Sequence, residues 1–157
     1  MKNEEKSVKD MWENYLNSIG ECSKSSNKVY DSWHFCDNEK SANKLAGLVL
    51  DGIKKGTTSL YDLYKVDNEP IPKKDEYSVV TDWNGIAKCV IRTKEIFVLP
   101  FKDVDERLAN IEGEGDKSLR YWREVHIDFF KRELEALNME FTEAMLVVFE
   151  EFEVVYK

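Results

Sequence analysis

The sequence predicts an α+β fold, built on a mostly antiparallel sheet or a small β-barrel with flanking helices. The order of the predicted elements supports this class, because two helices come first, several strands follow, and helices and a strand close the chain. The repeated βαβ rhythm of a parallel sheet does not occur. With 157 residues and no evident internal boundary, the chain is expected to form one domain over 1–157, with an N-terminal helical extension over 1–29.

Two amphipathic helices are predicted in the first third of the chain. Apolar residues recur at three- and four-residue spacings over Val8–Ile19, which is the pattern of a helix with one buried face. The same spacing returns over Ala42–Ile53, where Asn38 or Ser41 can cap the helix start and Gly52 or Gly56 can end it.

Strands are predicted in the middle and at the end of the chain. The segment "TTSLYDLYKV" is rich in β-branched and aromatic residues, and "YSVVTDW" and "IAKCVIRTKEIFVL" flank the hairpin turn pair Asn84-Gly85. A short helix, "VDERLANIEG", and a long one, "SLRYWREVHIDFFKRELEALN", follow. The final "AMLVVFEEFEVVY" alternates well enough for one or two closing strands.

Composition excludes several classes of protein. Acidic residues number 31 against 23 basic ones, so we do not expect a protein that grips long stretches of phosphate backbone through clustered Lys and Arg. The three cysteines form no C-x-x-C pair, which favours reduced thiols. Neither a signal-peptide pattern nor an apolar run of about 18 residues occurs, so the sequence predicts a cytoplasmic protein without a membrane partner.

Metal and cofactor chemistry is not predicted. His34 and Cys36 lie close together, but two histidines and three cysteines without paired spacing do not form a zinc pattern. The EF-hand, Walker A, G-x-G-x-x-G and G-x-S-x-G motifs are all absent from the sequence. We therefore predict no metal and no cofactor, and the sequence leaves the oligomeric state open.

Lys54 and Thr57 are the first candidate pair, since a lysine three residues before a threonine at a helix end can bring an amine near a hydroxyl. A lysine partly withdrawn from water can act as a base on such a hydroxyl. The same lysine also fits an ordinary helix C-terminus, where a positive charge favours the helix dipole. Spacing alone leaves both interpretations open.

Acidic residues and a histidine form the second candidate group. Glu112, Glu114 and Asp116, separated by glycines, can present carboxylates to a cation, a sugar hydroxyl or a catalytic lysine. For Asp116, just ahead of the long helix, helix capping is the favoured interpretation. His126 shares an apolar helix face with Trp122, where a buried, hydrogen-bonded histidine is commoner than a ligand.

Two segments together resemble the ASCH domain family, small β-barrels related to the PUA domains of RNA-binding proteins. The first contains G-x-K-x-x-T as Gly52, Lys54 and Thr57, after the apolar helix "LAGLVLDG", and the second is "EGEGDKSLRYWREVHIDFF". The aromatic "SWHF" is similar to a segment of the longer bacterial ASCH subgroup. The resemblance extends from Tyr30 to Tyr156 and implies a PUA-like small β-barrel with flanking helices.

The resemblance also implies a cleft that binds RNA or a nucleoside-type small molecule. Shorter family members are amidohydrolases that remove the acetyl group from N-acetylated cytidine with a threonine, a lysine and a glutamate. Matched by position, Thr57 is the nucleophile, Lys54 the base, and Glu112 the group that orients the lysine or shuttles a proton. Thr58 and Ser59 compete with Thr57 as hydroxyls, and strand alternation places Thr57 and Ser59 on one face.

Further residues are expected to line the cleft. The predicted ligand-binding residues are Gly52, Trp33, Phe35, Ser59 and Arg120. Gly52 would let the backbone approach the ligand, while Trp33 and Phe35 would stack on a base, although core packing fits these two aromatics equally well.

Three functions remain open from the sequence. The leading one is binding of RNA or a nucleoside-like ligand, with or without hydrolysis of an exocyclic amide. The second is a non-catalytic RNA-binding module in which Lys54 contacts phosphate. The third is a ribonuclease that acts on single-stranded RNA.

Overall fold

The structure of the protein is a computed structural model that describes residues 2–157. Its helices are α1 (Asn3–Ser18), α2 (Glu39–Leu50), α3 (Tyr61–Val66), α4 (Glu106–Glu112) and α5 (Leu119–Glu135), with a 3-10 turn at Phe101–Asp103. Its strands are β1 (Tyr30–Trp33), β2 (Gly56–Leu60), β3 (Tyr77–Thr81), β4 (Ala87–Pro100) and β5 (Leu146–Tyr156). The predicted α+β class is confirmed.

The described strands form one five-stranded sheet in the order β1-β3-β4-β5-β2. β1 pairs with β3 in parallel, while β3 with β4 and β2 with β5 are antiparallel. A barrel requires the two outer strands to pair with each other. Here the outer strands are β1 and β2, short segments at opposite edges, so the sheet is open and the prediction of a closed small barrel is wrong.

The described chain divides into two compact units. The first unit comprises the described residues up to Gly52, together with Lys74–Lys94 and Phe152–Lys157. Its core has two parts. In one, Trp12 and Leu16 of α1 pack with Val79 and Val90, and in the other, Val49 of α2 packs with residues of β3, β4 and β5. The N-terminal helix is thus an integral part of the core of this unit.

Local signals explain the elements of the first unit. Of the two candidate caps, Asn38 is the one that caps α2, by accepting the Ser41 backbone N–H at 2.9 Å. After α2, Gly52 takes the left-handed φ of +71° that ends many helices. In the β3–β4 hairpin, Gly85 supplies a φ of +80°, which confirms the predicted turn.

The second unit comprises Ile53–Lys73 and Glu95–Glu151. Its apolar core gathers residues of β2, the 3-10 turn, α4, α5 and β5 around Phe101, Phe130 and Phe149. Helix α5 is capped by Ser118, whose hydroxyl accepts the Tyr121 N–H at 3.0 Å. Asp116, the predicted cap, instead accepts the Ser118 N–H at 2.8 Å and so orders the loop before the cap.

Two short segments differ from their predictions. The predicted strand "TTSLYDLYKV" is divided, because β2 ends at Leu60 and Tyr61–Val66 form α3. The change of structure lets Tyr64 turn back onto β2, where its Oη lies 2.7 Å from Ser59 Oγ, a tertiary contact that strand propensity does not reveal. Tyr30–Trp33, for which the sequence predicts no helix or strand, form β1. None of the described helices combines the length and apolar character needed to cross a membrane.

Candidate functional site

A buried lysine, Lys54, lies in the segment just before β2 in the second unit. Only 1% of Lys54 is exposed, and its Nζ donates a hydrogen bond to the Gly56 carbonyl oxygen at 2.7 Å. The same Nζ lies 3.5 Å from Glu112 Oε1 and 3.4 Å from Glu114 Oε1. Two carboxylates therefore balance the charge of an ammonium group that is withdrawn from water.

Glu112, at the end of α4, is the centre of this arrangement. Its Oε2 accepts hydrogen bonds from Thr58 Oγ1 at 2.7 Å and Trp122 Nε1 at 2.6 Å. Its Oε1 lies 2.9 Å from His126 Nε2, besides the contact with Lys54. These four groups fix the carboxylate from several directions, so Glu112 can orient Lys54 but has little freedom of its own.

His126 carries the second buried positive charge. Its Nδ1 lies 2.8 Å from the Trp122 carbonyl oxygen, which can only accept, and its Nε2 faces the Glu112 carboxylate. Both ring nitrogens must therefore donate, which requires the imidazolium form. Burial opposes this charge, but the Glu112 charge and hydrogen bond outweigh it and raise the pKa of His126.

The pKa of the Glu112 carboxyl group shifts in the opposite direction to that of His126. Burial alone would raise its pKa, but the positive charges of His126 and Lys54, together with hydrogen bonds from His126 and Trp122, lower it below the ordinary range. Lys54, Glu112, Glu114 and His126 therefore form a buried ionic group with two charges of each sign. We call these four residues the Lys54 cluster.

Gly113 brings the two carboxylates of the cluster beside Lys54. Its φ is +75°, and a Cβ at this position would collide with the Ile53 carbonyl oxygen and crowd Lys54 Cα. The Lys55 N–H donates to the Ile111 carbonyl oxygen at 2.9 Å, which ties the end of α4 to the segment before β2. Only glycine permits this close approach, and the residues on either side of it face the lysine.

Glu114 is the incompletely satisfied member of the cluster. Its Oε1 faces Lys54, whereas its Oε2 is buried and has no hydrogen-bond partner among the described residues. An unpartnered buried acceptor is costly, because it has lost its water without gaining a donor. This oxygen is therefore a place where a ligand N–H or O–H would be favourable.

The Lys54 cluster also contains potential metal ligands. Ligand atoms of Glu112, Glu114 and His126 all lie within 4.8 Å of one another, a spacing that a metal ion could bridge. However, both nitrogens of His126 are engaged with acceptors, and the Lys54 ammonium already lies against both carboxylates. A divalent ion would have to displace this internal cation, so the donor set does not fit a metal.

The three neighbouring hydroxyls of β2 have different surroundings. Thr58 is buried and donates to Glu112, while Ser59 is bonded to Tyr64. Thr57 is partly exposed, and its side chain makes no hydrogen bond within residues 2–157. The burial pattern of β2 puts Thr57 and Ser59 on the face opposite Thr58, as alternation predicts. The structure thus brings Lys54 and Glu112 together, with Thr58 as the hydroxyl on Glu112.

The remaining predicted ligand-binding residues take no part in these contacts. Trp33 and Phe35 belong to the first unit, where their rings meet edge to face at 4.9 Å and Phe35 is only 5% exposed, a core position. A Cβ at Gly52 would have no atom within 4 Å, so its positive φ serves the helix end. The Arg120 side chain is 89% exposed and pairs with Glu124 at 3.2 Å.

Sequence reasoning missed part of the cluster. The sequence predicts a buried His126 but not its ion pair with Glu112, and it presents Thr58 only as a competitor of Thr57. The signal for Trp122 and His126 is their spacing of four residues, which places both on one face of α5. No spacing rule connects that face to Glu112, because the connection depends on how α4 and α5 pack.

Comparisons with known proteins identify the family. The family model described as an ASCH domain matches residues 31–156 of this chain. The ASCH domain from Lactobacillus crispatus JV V101, whose crystal structure is known, is 36% identical to this chain in sequence. The TM-score between the two structures is 0.88, and the match covers 97% of this chain and 96% of that one. The crystal structure of a protein from Enterococcus faecalis V583, of family DUF984, is 34% identical in sequence, and its TM-score is 0.86. This match covers 96% of this chain and 89% of that one.

A more distant similarity supports the fold alone. A hypothetical protein of known structure shares 21% identity with a TM-score of 0.50, covering 80% of this chain and 97% of that one. No match was found among curated proteins. The family model spans most of the sequence, and two structures above 30% identity agree with it over nearly the whole chain. The chain therefore belongs to the ASCH domain family.

Proposed function

We propose that the protein binds a nucleoside-like ligand at the Lys54 cluster. The observation that supports this proposal is the buried Glu114 Oε2, which lacks a donor beside the Lys54 ammonium. A ligand that offers an N–H to this oxygen would satisfy it, and a carboxylate that accepts from the exocyclic amino group of cytosine is a known pairing in base recognition.

The charge of the protein favours a small ligand over a long strand. The net charge of −8 disfavours extended phosphate contacts. Lys54 is buried and already in contact with Gly56, Glu112 and Glu114, so it is a poor contact for backbone phosphates. These observations favour a nucleoside or a very short RNA segment over the RNA-binding module in which Lys54 contacts phosphate.

Titration calorimetry with cytidine tests the binding proposal. Glu114→Gln retains the shape of the side chain but removes its charge, and a hydrogen bond to a charged group contributes about 1.5–3 kcal/mol, so we expect affinity to fall by at least about tenfold. The exposed Glu135→Gln is the matched control and should bind like the unmodified protein. Absence of binding, or equal affinity in both variants, would contradict the proposal.

A second candidate function is hydrolysis of an exocyclic amide such as that of N-acetylated cytidine. The observation that favours it is Thr57, the partly exposed β2 hydroxyl whose side chain forms no hydrogen bond within the described chain and which follows Lys54 by three residues. A nucleophile must be accessible and uncommitted, whereas Thr58 and Ser59 are both engaged.

The reaction would proceed through an ester on Thr57. For this step Lys54 must be a neutral amine, which forms when its ammonium gives one proton to Glu114 Oε1, 3.4 Å away. Thr57 lies on the face of β2 opposite Thr58 and the Lys54 cluster, so water at the edge of the sheet relays the Thr57 proton to the Lys54 amine as the Thr57 oxygen attacks the amide carbon. The same route carries that proton back to the amide nitrogen as the C–N bond breaks. Cytidine leaves with a free amino group, and water then hydrolyses the ester to acetate and restores Thr57. Glu112, held by Thr58, Trp122 and His126, orients Lys54 during both proton transfers.

Release of cytidine from N4-acetylcytidine measures this activity. Thr57→Val should abolish turnover, and Thr142→Val, the same change at an exposed threonine, should leave it intact. Loss of turnover in Thr58→Val but not in Thr57→Val would contradict the nucleophile assignment. Binding without turnover would limit the protein to a binding role, and cleavage of labelled single-stranded RNA would favour the ribonuclease alternative.

A further inference from the structure

Residues 113–118 connect α4 to α5 and carry Glu114, and we call this segment the Glu114 loop. Three alternate residues of the loop, Gly113, Gly115 and Lys117, have left-handed φ values of +75°, +56° and +65°. Such conformations are costly for any residue but glycine, and they persist where the surrounding structure holds them, often at functional sites. The Glu114 loop therefore depends on contacts that keep it in this shape.

Tyr121, in the first turn of α5, supplies one of these contacts. Its ring lies against Gly115, since a Cβ on that glycine would come within 2.5 Å of the ring atoms Cε1 and Cζ. The Tyr121 N–H donates to Ser118 Oγ at 3.0 Å, which fixes the backbone of the tyrosine at the cap of α5. The Tyr121 hydroxyl makes no hydrogen bond within the described chain, so the ring alone forms the contact.

Glu114 is held on both sides, because the glycine before it packs against Ile53 and the glycine after it packs under the Tyr121 ring. The Lys117 N–H donates to the Glu114 carbonyl oxygen at 2.9 Å and closes the turn between them. The backbone of Glu114 therefore has little room to turn the side chain away from the Lys54 ammonium, which lies 3.4 Å from Oε1.

This restraint explains why the Glu114 Oε2 atom stays without a donor. Glu114 is only 9% exposed, and its Oε2 has no hydrogen-bond partner among the described residues. A mobile loop would relieve the cost of such a buried acceptor by turning the carboxylate towards water or another donor. A fixed loop instead keeps the acceptor in place before a ligand arrives, so the ligand does not lose affinity in ordering it.

We infer that Tyr121 is a positioning residue, whose ring holds the Glu114 loop so that Glu114 Oε2 stays in place for an N–H or O–H of the ligand. This inference rests on the proposed function, because it takes Glu114 as the acceptor for the ligand. It adds a residue that acts through Gly115 without touching the ligand, and it assigns the effect to the ring of the tyrosine and not to its hydroxyl.

Titration calorimetry with cytidine measures the effect of Tyr121 on binding. Tyr121→Ala removes the ring, so the ligand must order the backbone of about one residue, and affinity should fall by about five- to tenfold. Tyr121→Phe keeps the ring and should bind like the unmodified protein. Tyr61→Ala is the matched control, because Tyr61 is a half-buried tyrosine at the start of α3, and it should leave affinity unchanged.

A double substitution shows whether Tyr121 acts through Glu114. In the Glu114→Gln background the charged acceptor is absent, so Tyr121→Ala should change affinity by less than about twofold. A loss as large as the one in the protein that retains Glu114 would overturn the inference, because the tyrosine would then support some other contact.

Amide hydrogen exchange tests the restraint without any ligand. Exchange of the Lys117 N–H, which donates to Glu114, should be at least about tenfold faster in Tyr121→Ala and unchanged in Tyr121→Phe. The Phe101 N–H donates to the Met145 carbonyl oxygen at 2.8 Å in the same unit, and it should exchange at one rate in all variants. Unchanged exchange at Lys117, or an equal increase at Phe101, would overturn the inference.

The outcomes separate this inference from the proposed function. If cytidine binds and Glu114→Gln weakens binding but Tyr121→Ala does not, the proposed function stands and the role of Tyr121 is overturned. If cytidine does not bind the unmodified protein, the proposed function fails, and exchange at Lys117 still decides whether Tyr121 holds the Glu114 loop.

Discussion

The two compact units differ in what they bury. Among the described residues, the buried polar side chains of the first unit are two uncharged ones, Thr81 and Thr93. The second unit buries charges as well: Lys54, Glu112, Glu114, His126 and Glu150. Buried ion pairs stabilise a protein little compared with apolar residues of the same volume, and perturbed ionisable groups concentrate at functional sites. This difference is the reason for placing the proposed binding site in the second unit.

The largest effect is expected where the ionic group is broken. Glu112→Gln leaves the His126 and Lys54 charges without their shared partner, and removal of one member of a buried pair costs about 3–5 kcal/mol. Urea denaturation should show a loss of this size in the free energy of unfolding. Glu135→Gln, an exposed change of the same kind, should stay within about 0.5 kcal/mol. A loss below about 1 kcal/mol for Glu112→Gln would contradict the view that this carboxylate holds the cluster together.

A matched pair of glycine substitutions compares the units directly. Gly113→Ala combines left-handed backbone strain of about 1–2 kcal/mol with a collision against Ile53 that adds about 1–3 kcal/mol. Gly52→Ala, in the first unit, has a similar φ but open space around its Cβ, so only the strain of about 1–2 kcal/mol applies. Thermal and urea unfolding of both variants measures the difference. Equal losses would mean that the close approach at Gly113 is unimportant.

Two buried groups of the second unit should make stability depend on pH. The pKa of His126 is higher in the folded state, so its stabilisation is complete below the ordinary value of 6.5 and is lost as pH rises towards the folded value. The pKa of Glu112 is lower in the folded state, so its stabilisation is present above 4.5 and is lost as pH falls from there. The slope for each group is at most about 1.4 kcal/mol per pH unit.

Denaturation series between pH 4 and 9 check this dependence. The unmodified protein should lose stability as pH rises above 6.5, the ordinary value for histidine, and His126→Gln should lack that part of the decline. An identical curve for His126→Gln would show that the histidine is not charged in the folded protein.

The smallest effect is expected in the apolar core of the first unit. Ile91 is fully buried, and Ile91→Val removes one methylene, which usually costs about 0.5–1.5 kcal/mol. Because no charge is involved, the loss should be the same at pH 5 and pH 8, and cytidine affinity should not change. A loss that varied with pH would mean that the cores of the two units are energetically coupled.

The sequence predicted most elements because their signals are local. Apolar spacing marked α1, α2 and α5, Asn38 marked a helix cap, and Asn84-Gly85 marked the hairpin turn. Tyr61–Val66 and Tyr30–Trp33 were missed because each is short, and short aromatic segments take the structure that their packing favours. Closure of the sheet could not be predicted either, since local patterns do not reveal which strands lie at its edges.

For the candidate site, the sequence by itself determined the family resemblance and selected Lys54 and Glu112, which the tertiary structure places 3.5 Å apart. Only the tertiary structure showed that His126, Trp122 and Thr58 complete the surroundings of Glu112, and that Glu114 retains an unpartnered oxygen. The physical reason is that spacing fixes the face of a helix or strand on which a residue lies. Which faces meet is decided by packing between elements distant in sequence, as where Gly113 lets α4 approach Ile53.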